Sequence, residues 1–189
     1  MKQVEGYVER ITYRNEDNGY SVIYLSNPEP KADEDDEVCC VGFFSFVSEG
    51  EYLVINGRET VHKSYGPQIQ VESYETKRPS SQVAIEKYLG SGAIKGIGAA
   101  LAARIVRRFG EKTFEIIENE PERLAEIKGI SMKMAVSVAK QFNDKRQMRQ
   151  SVIFLQEYGI SVNMAVKIYK FYGERIYEIM QQNPYRLAE

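Results

Sequence analysis

Over the first 76 residues apolar positions recur every second residue; beyond Val83 they recur every third or fourth. The first period is that of a half-buried strand, the second that of an amphipathic helix. Val4, Gly6 and Val8 lead into Ile11 and Tyr13 before Asn15-Glu16-Asp17-Asn18-Gly19 interrupts, and Tyr20–Leu25 resumes the alternation. A glycine-containing Asn/Asp break between two alternating runs predicts a hairpin. Asn27-Pro28-Glu29-Pro30 and the acidic run Asp33–Glu37 predict a solvated loop. Further runs at Val38–Val47, Tyr52–Val61 and Ile69–Tyr74 are separated by turns at Ser48-Glu49-Gly50-Glu51 and Tyr65-Gly66-Pro67.

Five short strands with no helical stretch between them predict a small closed β-barrel of the OB type over residues 1–77. Gly6 and Gly42 are placed to relieve its tight bends. Such barrels often stack the bases of a single strand on aromatic side chains, and Tyr7, Tyr24, Phe44, Phe46 and Tyr74 are candidates here. Aromatics are also common in strands because they pack well on a half-buried pleat. Core or protein-contact use is therefore preferred for them over base stacking.

Lys77-Arg78-Pro79-Ser80-Ser81 marks the boundary to an all-helical part over residues 78–189, making the fold class α+β and multidomain. Pro79 ends extended structure, and Ser80 or Ser81 can cap a helix over Val83–Leu89. Gly90-Ser91-Gly92 stops that helix, and Ile94-Lys95-Gly96-Ile97-Gly98 precedes the next, Ala99–Phe109. An apolar residue, two glycines around an isoleucine and then a helix with Ala102 and Ile105 facing inward is helix-hairpin-helix spacing. Glycine lets the backbone of such a turn approach a large flat ligand closely. The first N–H groups of the following helix are unpaired and lie at its positive end, so the device can hold a phosphate. Arg104, Arg107 and Arg108 share the outer face of that helix.

The pattern recurs. Glu126-Ile127-Lys128-Gly129-Ile130-Ser131 opens a second hairpin, followed by the helix MKMAVSVAKQF, with Ala135 and Val138 inward and Lys133, Ser137 and Lys140 outward. Gly159-Ile160-Ser161 opens a third, with Ala165 and Ile168 behind it and Asn163, Lys167 and Lys170 outside. The turn glycines lie about thirty residues apart, a period of helical repeats. A longer repeat matches FGEKTFEIIENEPERLAE at 109–126 with YGERIYEIMQQNPYRLAE at 172–189. A hairpin follows the first copy, and the expectation is that this chain is a piece of something longer.

Charge sharpens the division. Residues 1–78 carry 8 Lys+Arg against 15 Asp+Glu, and residues 79–189 carry 17 against 12, so the basic half is the one suited to a phosphate backbone. The predicted DNA-phosphate site comprises Lys95, Gly96, Gly98, Arg104, Arg107 and Arg108, together with Lys128, Gly129, Ser131 and Lys133. Gly159 and Ser161 form a weaker third site, better suited to packing because its turn has no basic residue. In the second hairpin Ser131 replaces the last glycine, which allows a capped helix start but not the same close approach.

Other chemistry finds little support. GSGAIKGIG follows a helix and is neither G-x-G-x-x-G after a strand nor a Walker A loop. With a single histidine, His62, no metal or nucleophile-base constellation can be assembled, so neither catalytic nor metal residues are assigned. Cys39 and Cys40 are adjacent on a predicted strand and point to opposite faces, so they do not bridge. That cysteine usage, the lack of a signal-like start and the lack of any ~18-residue apolar run imply a cytoplasmic protein without a membrane partner.

Three stretches, EGYVERITYRNEDNGYSVIYL, VGFFSFVSEGEYLVINGRETVHKSYGPQIQVESYE and GAIKGIGAALAARIVRRFGEKTFEIIENEPERLAEIKGIS, resemble the N-terminal region of bacterial RecD-like DNA helicases. These are the RecD/TraA-type, exodeoxyribonuclease V alpha-subunit-like ATPases of DNA repair and recombination. The resemblance covers essentially the whole chain. It implies a superfamily 1 parent that uses ATP and Mg²⁺ to move 5′ to 3′ along single-stranded DNA and separate duplexes. That motor carries Walker A and B motifs further toward the C-terminus; this sequence has neither, so ATP hydrolysis belongs to the parent alone and no cofactor is expected here. The family's hairpin carries over onto Gly96, Gly98, Gly129 and Gly159. The implied partners are single-stranded or forked DNA, the parent's own motor domains and other DNA-repair proteins.

The expected function is a non-motor module that binds or positions DNA through sequence-independent phosphate contacts. Two alternatives are a protein-interaction or intramolecular scaffold, in which the hairpins only pack, and a junction-binding protein resembling RuvA.

Overall fold

The computed structural model describes residues 1–29, 37–44, 46–183 and 185. Five strands, β1 (Lys2–Arg14), β2 (Tyr20–Glu29), β3 (Val38–Phe43), β4 (Tyr52–His62) and β5 (Gly66–Lys77), close into a barrel in the order β1-β2-β3-β5-β4. All neighbours are antiparallel except β3 and β5, which pair in parallel through Cys40 with Ile69 and Val41 with Gln70. This is the predicted five-stranded OB-like barrel. Alternation drives it: Val4, Val8, Ile23, Leu25, Cys40, Leu53, Ile55 and Ile69 point inward, and Phe44 and Val47 join them from the segment after β3.

Two glycines explain the closure. Gly6 falls where the β1–β2 register slips, and a Cβ on Gly42 would stand 2.8 Å from the Cβ of Val71. A third, Gly57, escaped the sequence pattern. It sits at the β4–β5 register shift, where a Cβ would be 2.3 Å from the Gln70 carbonyl oxygen.

Several strand limits differ from the hydrophobic pattern. β2 runs through Asn27–Glu29, because Glu29 pairs with Glu5 across the ladder. β3 ends at Phe43 rather than Val47. β5 extends from Gly66 to Lys77 because β4 supplies a backbone partner along its whole length, including the polar ends. Most of the acidic run lies outside the described residues; Glu37, at its end, pairs with Arg10.

Among the described residues six α-helices follow: α1 (Gln82–Gly90), α2 (Ala99–Phe109), α3 (Thr113–Asn119), α4 (Met132–Glu157), α5 (Val162–Tyr172) and α6 (Ile176–Gln182). Short 3-10 turns at Gly110–Lys112, Pro121–Glu126 and Gly173–Arg175 connect them. The chain forms two compact units, Met1–Ala139 and Lys140–Glu189. α4 is a single 26-residue helix, far longer than the stretch after the second hairpin suggested. Its mixed face pattern hides the continuity, because different faces are buried in its two halves: Ala135 and Val138 first, then Val152 and Leu155.

Within the first unit the barrel is seated on α1. Gly50, in the turn before β4, has φ +86° and lies so close to α1 that a Cβ would be 2.4 Å from the Tyr88 amide nitrogen. Lys87 pairs with Glu9 of β1, and Arg78 pairs with Glu118 and lies 4.7 Å over the Phe114 ring. In the second unit Val152, Leu155, Ala165, Val166, Ile168, Ile176 and Ile179 are buried, and the rings of Phe154 and Tyr177 meet at 4.7 Å.

The long repeat is realised in three dimensions. Each copy passes from a helix through a 3-10 turn into a seven-residue helix. The glycine that breaks the helix has φ 58°, ψ −134° in the first copy and φ 60°, ψ −138° in the second, a conformation open to glycine and strained for other residues.

Candidate nucleic-acid interface

The three hairpin turns share a left-handed glycine, and the first two are built alike. Gly96, Gly129 and Gly159 have φ of 94°, 101° and 80°, so each must be glycine for the chain to reverse without strain. Flanking isoleucines anchor the first two: Ile94, Ile97, Ile127 and Ile130 are buried. The Ile97 amide donates to the Ile94 carbonyl, and Ile130 does the same to Ile127. Behind the turns Ala102 and Ile105, Ala135 and Val138, and Ala165 and Ile168 face inward as the sequence predicted.

The first two hairpins pack reciprocally. A Cβ on Gly129 would stand 3.2 Å from Leu101 of α2, and one on Gly96 would stand 3.6 Å from the Met134 methyl of α4. Leu101 and Met134 each lie five residues after their own turn glycine, so each turn rests on the equivalent residue of the other's helix. The pair is thus related by an approximate local dyad. Arg104 reinforces it, donating to the Lys128 carbonyl at 3.0 Å.

The helix starts differ. Ser81, Ser131 and Ser161 each accept a hydrogen bond on the side-chain oxygen from the amide three residues on, in Ala84, Met134 and Met164. α2 begins at Gly98, which has no side chain to cap it. Gly98 is extended, and a Cβ there would meet nothing within 4 Å. Lys95, Gly96, Gly98, Ala99 and Ala100 are all exposed. The first hairpin therefore presents an open, uncapped helix N-terminus beside a lysine, whereas the other two use one N-terminal amide on their own serine.

All the remaining candidates are exposed as well: Arg104, Arg107, Arg108, Lys128, Gly129, Ser131, Lys133, Gly159 and Ser161. They are not equivalent. Arg104 is tied to the second turn, and Arg108 meets Glu126 at 3.2 Å and lies 5.9 Å from the Phe109 ring. Arg107, Lys128 and Lys133 form no ion pair among the described residues. Gly159 and Ser161 belong to the second unit.

The barrel aromatics take the roles favoured from the pattern. Phe44 is in the core with Tyr74 against it, Tyr7 meets Tyr52 edge-on at 4.9 Å, and Arg10 lies 3.9 Å over the Tyr24 ring. Phe46 is half-buried, 6.4 Å from the Tyr74 ring. The exposed rings of the barrel are Tyr13, Phe43 and Tyr65 instead; Phe43 stands at the opposite parity to the buried Phe44 and meets Tyr20 edge-on at 5.4 Å.

Family comparisons agree with this architecture. The model of the OB-fold domain of the ATP-dependent DNA helicase YrrC matches residues 1–79. That of the ATP-dependent RecD2 DNA helicase HHH domain matches 84–146 and 144–189. The chain belongs to the RecD2-type helicase family. It corresponds to the family's N-terminal OB-fold and HHH domains. The ATP-dependent RecD2 DNA helicase of Deinococcus radiodurans is 21% identical over 189 residues, covering 99% of this chain and 26% of that protein. Among solved structures, the crystal structure of the S. pombe Stn1-ten1 complex matches with TM-score 0.32 and 19% identity, over 40% of this chain and 57% of that one. That likeness is too slight to bear on the fold. No helix among the described residues is long and apolar enough to cross a membrane.

Proposed function

We propose that this chain is the non-motor N-terminal module of an ATP-dependent 5′–3′ DNA helicase and that its first hairpin grips DNA by the phosphate backbone. The functional division is an OB-like barrel at 1–77 and helix-hairpin-helix repeats at 78–189. ATP and Mg²⁺ serve the motor of the longer protein. The partners are single-stranded or forked DNA, that motor and other DNA-repair proteins, in a cytoplasmic setting.

The observation that carries this is the bare start of α2. Gly98 leaves the helix uncapped, Gly96 bends the chain away, and Lys95 stands beside the exposed amides. Backbone N–H groups and the helix dipole favour an oxyanion there, and the lysine adds a point charge. Arg107, Lys128 and Lys133 extend the positive surface without reading bases. Contacts of this kind give weak, sequence-insensitive binding that falls steeply with salt.

The scaffold alternative draws on a specific observation too: Arg104 and Arg108 are engaged with the protein itself. One titration separates the two. The chain is titrated with labelled single-stranded and duplex DNA at low and moderate salt, beside Lys95→Ala/Arg107→Ala. Binding at low salt that the double variant loses supports the DNA role. An absence of binding, or binding the variant leaves unchanged, assigns the hairpins to packing.

A further inference from the structure

The β4–β5 hairpin outruns the barrel it belongs to. β1 accompanies β4 only as far as Gly57, and β3 meets β5 only at Ile69 and Gln70. Beyond those points Thr60 pairs with Gln68, Val61 with Pro67 and His62 with Gly66, and no other strand among the described residues joins them. The tip is a two-stranded finger. β4 starts beside the Gly50 turn that rests on α1 and ends at His62. The finger therefore lies at the far end of the barrel from α1, roughly 30 Å away along the strand.

The tip is held in one shape and differs from its surroundings. Gly66 turns the chain with φ 78°, and the Ser64 amide donates to Nδ1 of His62 at 3.2 Å. The His62 and Tyr65 rings meet at 4.8 Å with 35° between their planes. Tyr65 and Val61 are each 78% exposed, and His62 and Lys63 are exposed with them. Residues 1–78 carry 15 Asp+Glu, yet residues 60–71 carry none. The repulsion that an acidic barrel exerts on a phosphate chain is thus relieved at this end, where two ring faces and a cation stand instead. An aromatic platform beside a cation fits an unpaired base and its phosphate, with no demand on base identity.

We infer that the tip of the β4–β5 hairpin is a second DNA contact, at which an unpaired base stacks on the Tyr65 and His62 rings and Lys63 meets the neighbouring phosphate. It needs nothing from the first helix-hairpin-helix turn, so either site can fail and leave the other standing.

The test cross-links the unmutated chain to a single-stranded thymidine oligonucleotide carrying bromouracil and maps the adducts after trypsin, which places His62 in peptide 59–63 and Tyr65 in peptide 64–77. Affinities are measured beside it, in the parent and in the Lys95→Ala/Arg107→Ala background. Adducts on those two peptides are expected in both backgrounds. Tyr65→Ala should weaken single-strand binding about fivefold or more, and Tyr65→Phe, which keeps the ring, should stay within about twofold of the parent. Lys63→Ala should lower the slope of log affinity against log salt by about 1, and Tyr65→Ala should leave that slope unchanged. Adducts confined to the helical half overturn the inference, as does an affinity that Tyr65→Ala leaves unchanged. An equal loss in Tyr65→Phe makes the hydroxyl the contact and overturns stacking. Equal weakening for fully paired duplex overturns it too, since a stacked duplex offers no free base. The cross-linking arm needs no variant at the tip, so a misfolded one does not decide the outcome.

Discussion

A single side chain separates the first hairpin from the others. Ser131 and Ser161 close their own helix starts, and Gly98 leaves its own open in a backbone conformation that serine adopts without strain. Gly98→Ser should therefore cap α2 through the Leu101 amide. Thermal or urea unfolding should show a gain of a few tenths of a kcal/mol, about the usual difference between glycine and serine at a helix start. If the bare amides hold phosphate, the same change weakens DNA binding by about tenfold to a hundredfold, the worth of one hydrogen bond to a charged group. Stability and affinity moving in opposite directions is an outcome that loss of folding cannot imitate. An affinity unchanged by Gly98→Ser would remove the helix start from the interface.

At the scale of the element, α2 carries arginines with different employment. Arg104→Ala breaks the bond to the Lys128 carbonyl that joins the two turns. Urea unfolding should show a loss of about 1 kcal/mol, the ordinary net worth of such a bond. Arg107→Ala should leave stability within about 0.5 kcal/mol, as for an exposed residue with no ion pair among the described residues. It should lower the slope of log affinity against log salt by about 1. Exchanged phenotypes would mean that the two side chains have been assigned the wrong way round.

Much of this was legible in the chain. The strand count, the three turns, the inward residues behind them and the long repeat all follow from periodicity and glycine placement, which are local signals. What escaped depends on partners far away in sequence. β5 gained its polar ends from pairing with β4, and Gly57 owes its identity to the carbonyl of Gln70. Arg104 and Arg107 look alike on a helical wheel, and only the approach of the second turn to α2 tells them apart. The helix between Phe142 and Glu157 was hidden because α4 changes its buried face along its length.

Across the first unit, strand and helix are held together by named contacts. Ionised Glu9 of β1 is stabilised chiefly by its hydrogen bond from Lys87 of α1, which holds its pKa below the usual carboxylate value of 4.5. The folded state thus draws stability from Glu9 above the unfolded pKa and loses it as the pH falls through the lower folded value. Both side chains are partly exposed, so the effect stays below about 1 kcal/mol. Melts between pH 3 and pH 6 should show this acid loss in the parent and a shallower one in Glu9→Gln; identical profiles would detach the pair from stability.

Gly50 makes the stronger demand. Gly50→Ala combines a positive φ with a Cβ 2.4 Å from the Tyr88 amide nitrogen. It should destabilise the unit by at least about 1–2 kcal/mol, the cost of the left-handed backbone alone. A melt unchanged by the substitution would mean that this contact is loose.

The tightness of that contact has a mechanical side. α1 enters the first hairpin within a few residues of the point where the barrel turn presses on it, leaving no slack linker between them. A tug on the Lys95–Gly98 bend is therefore borne by the barrel wall at once, like a hook bolted to a drum rather than hung from a cord.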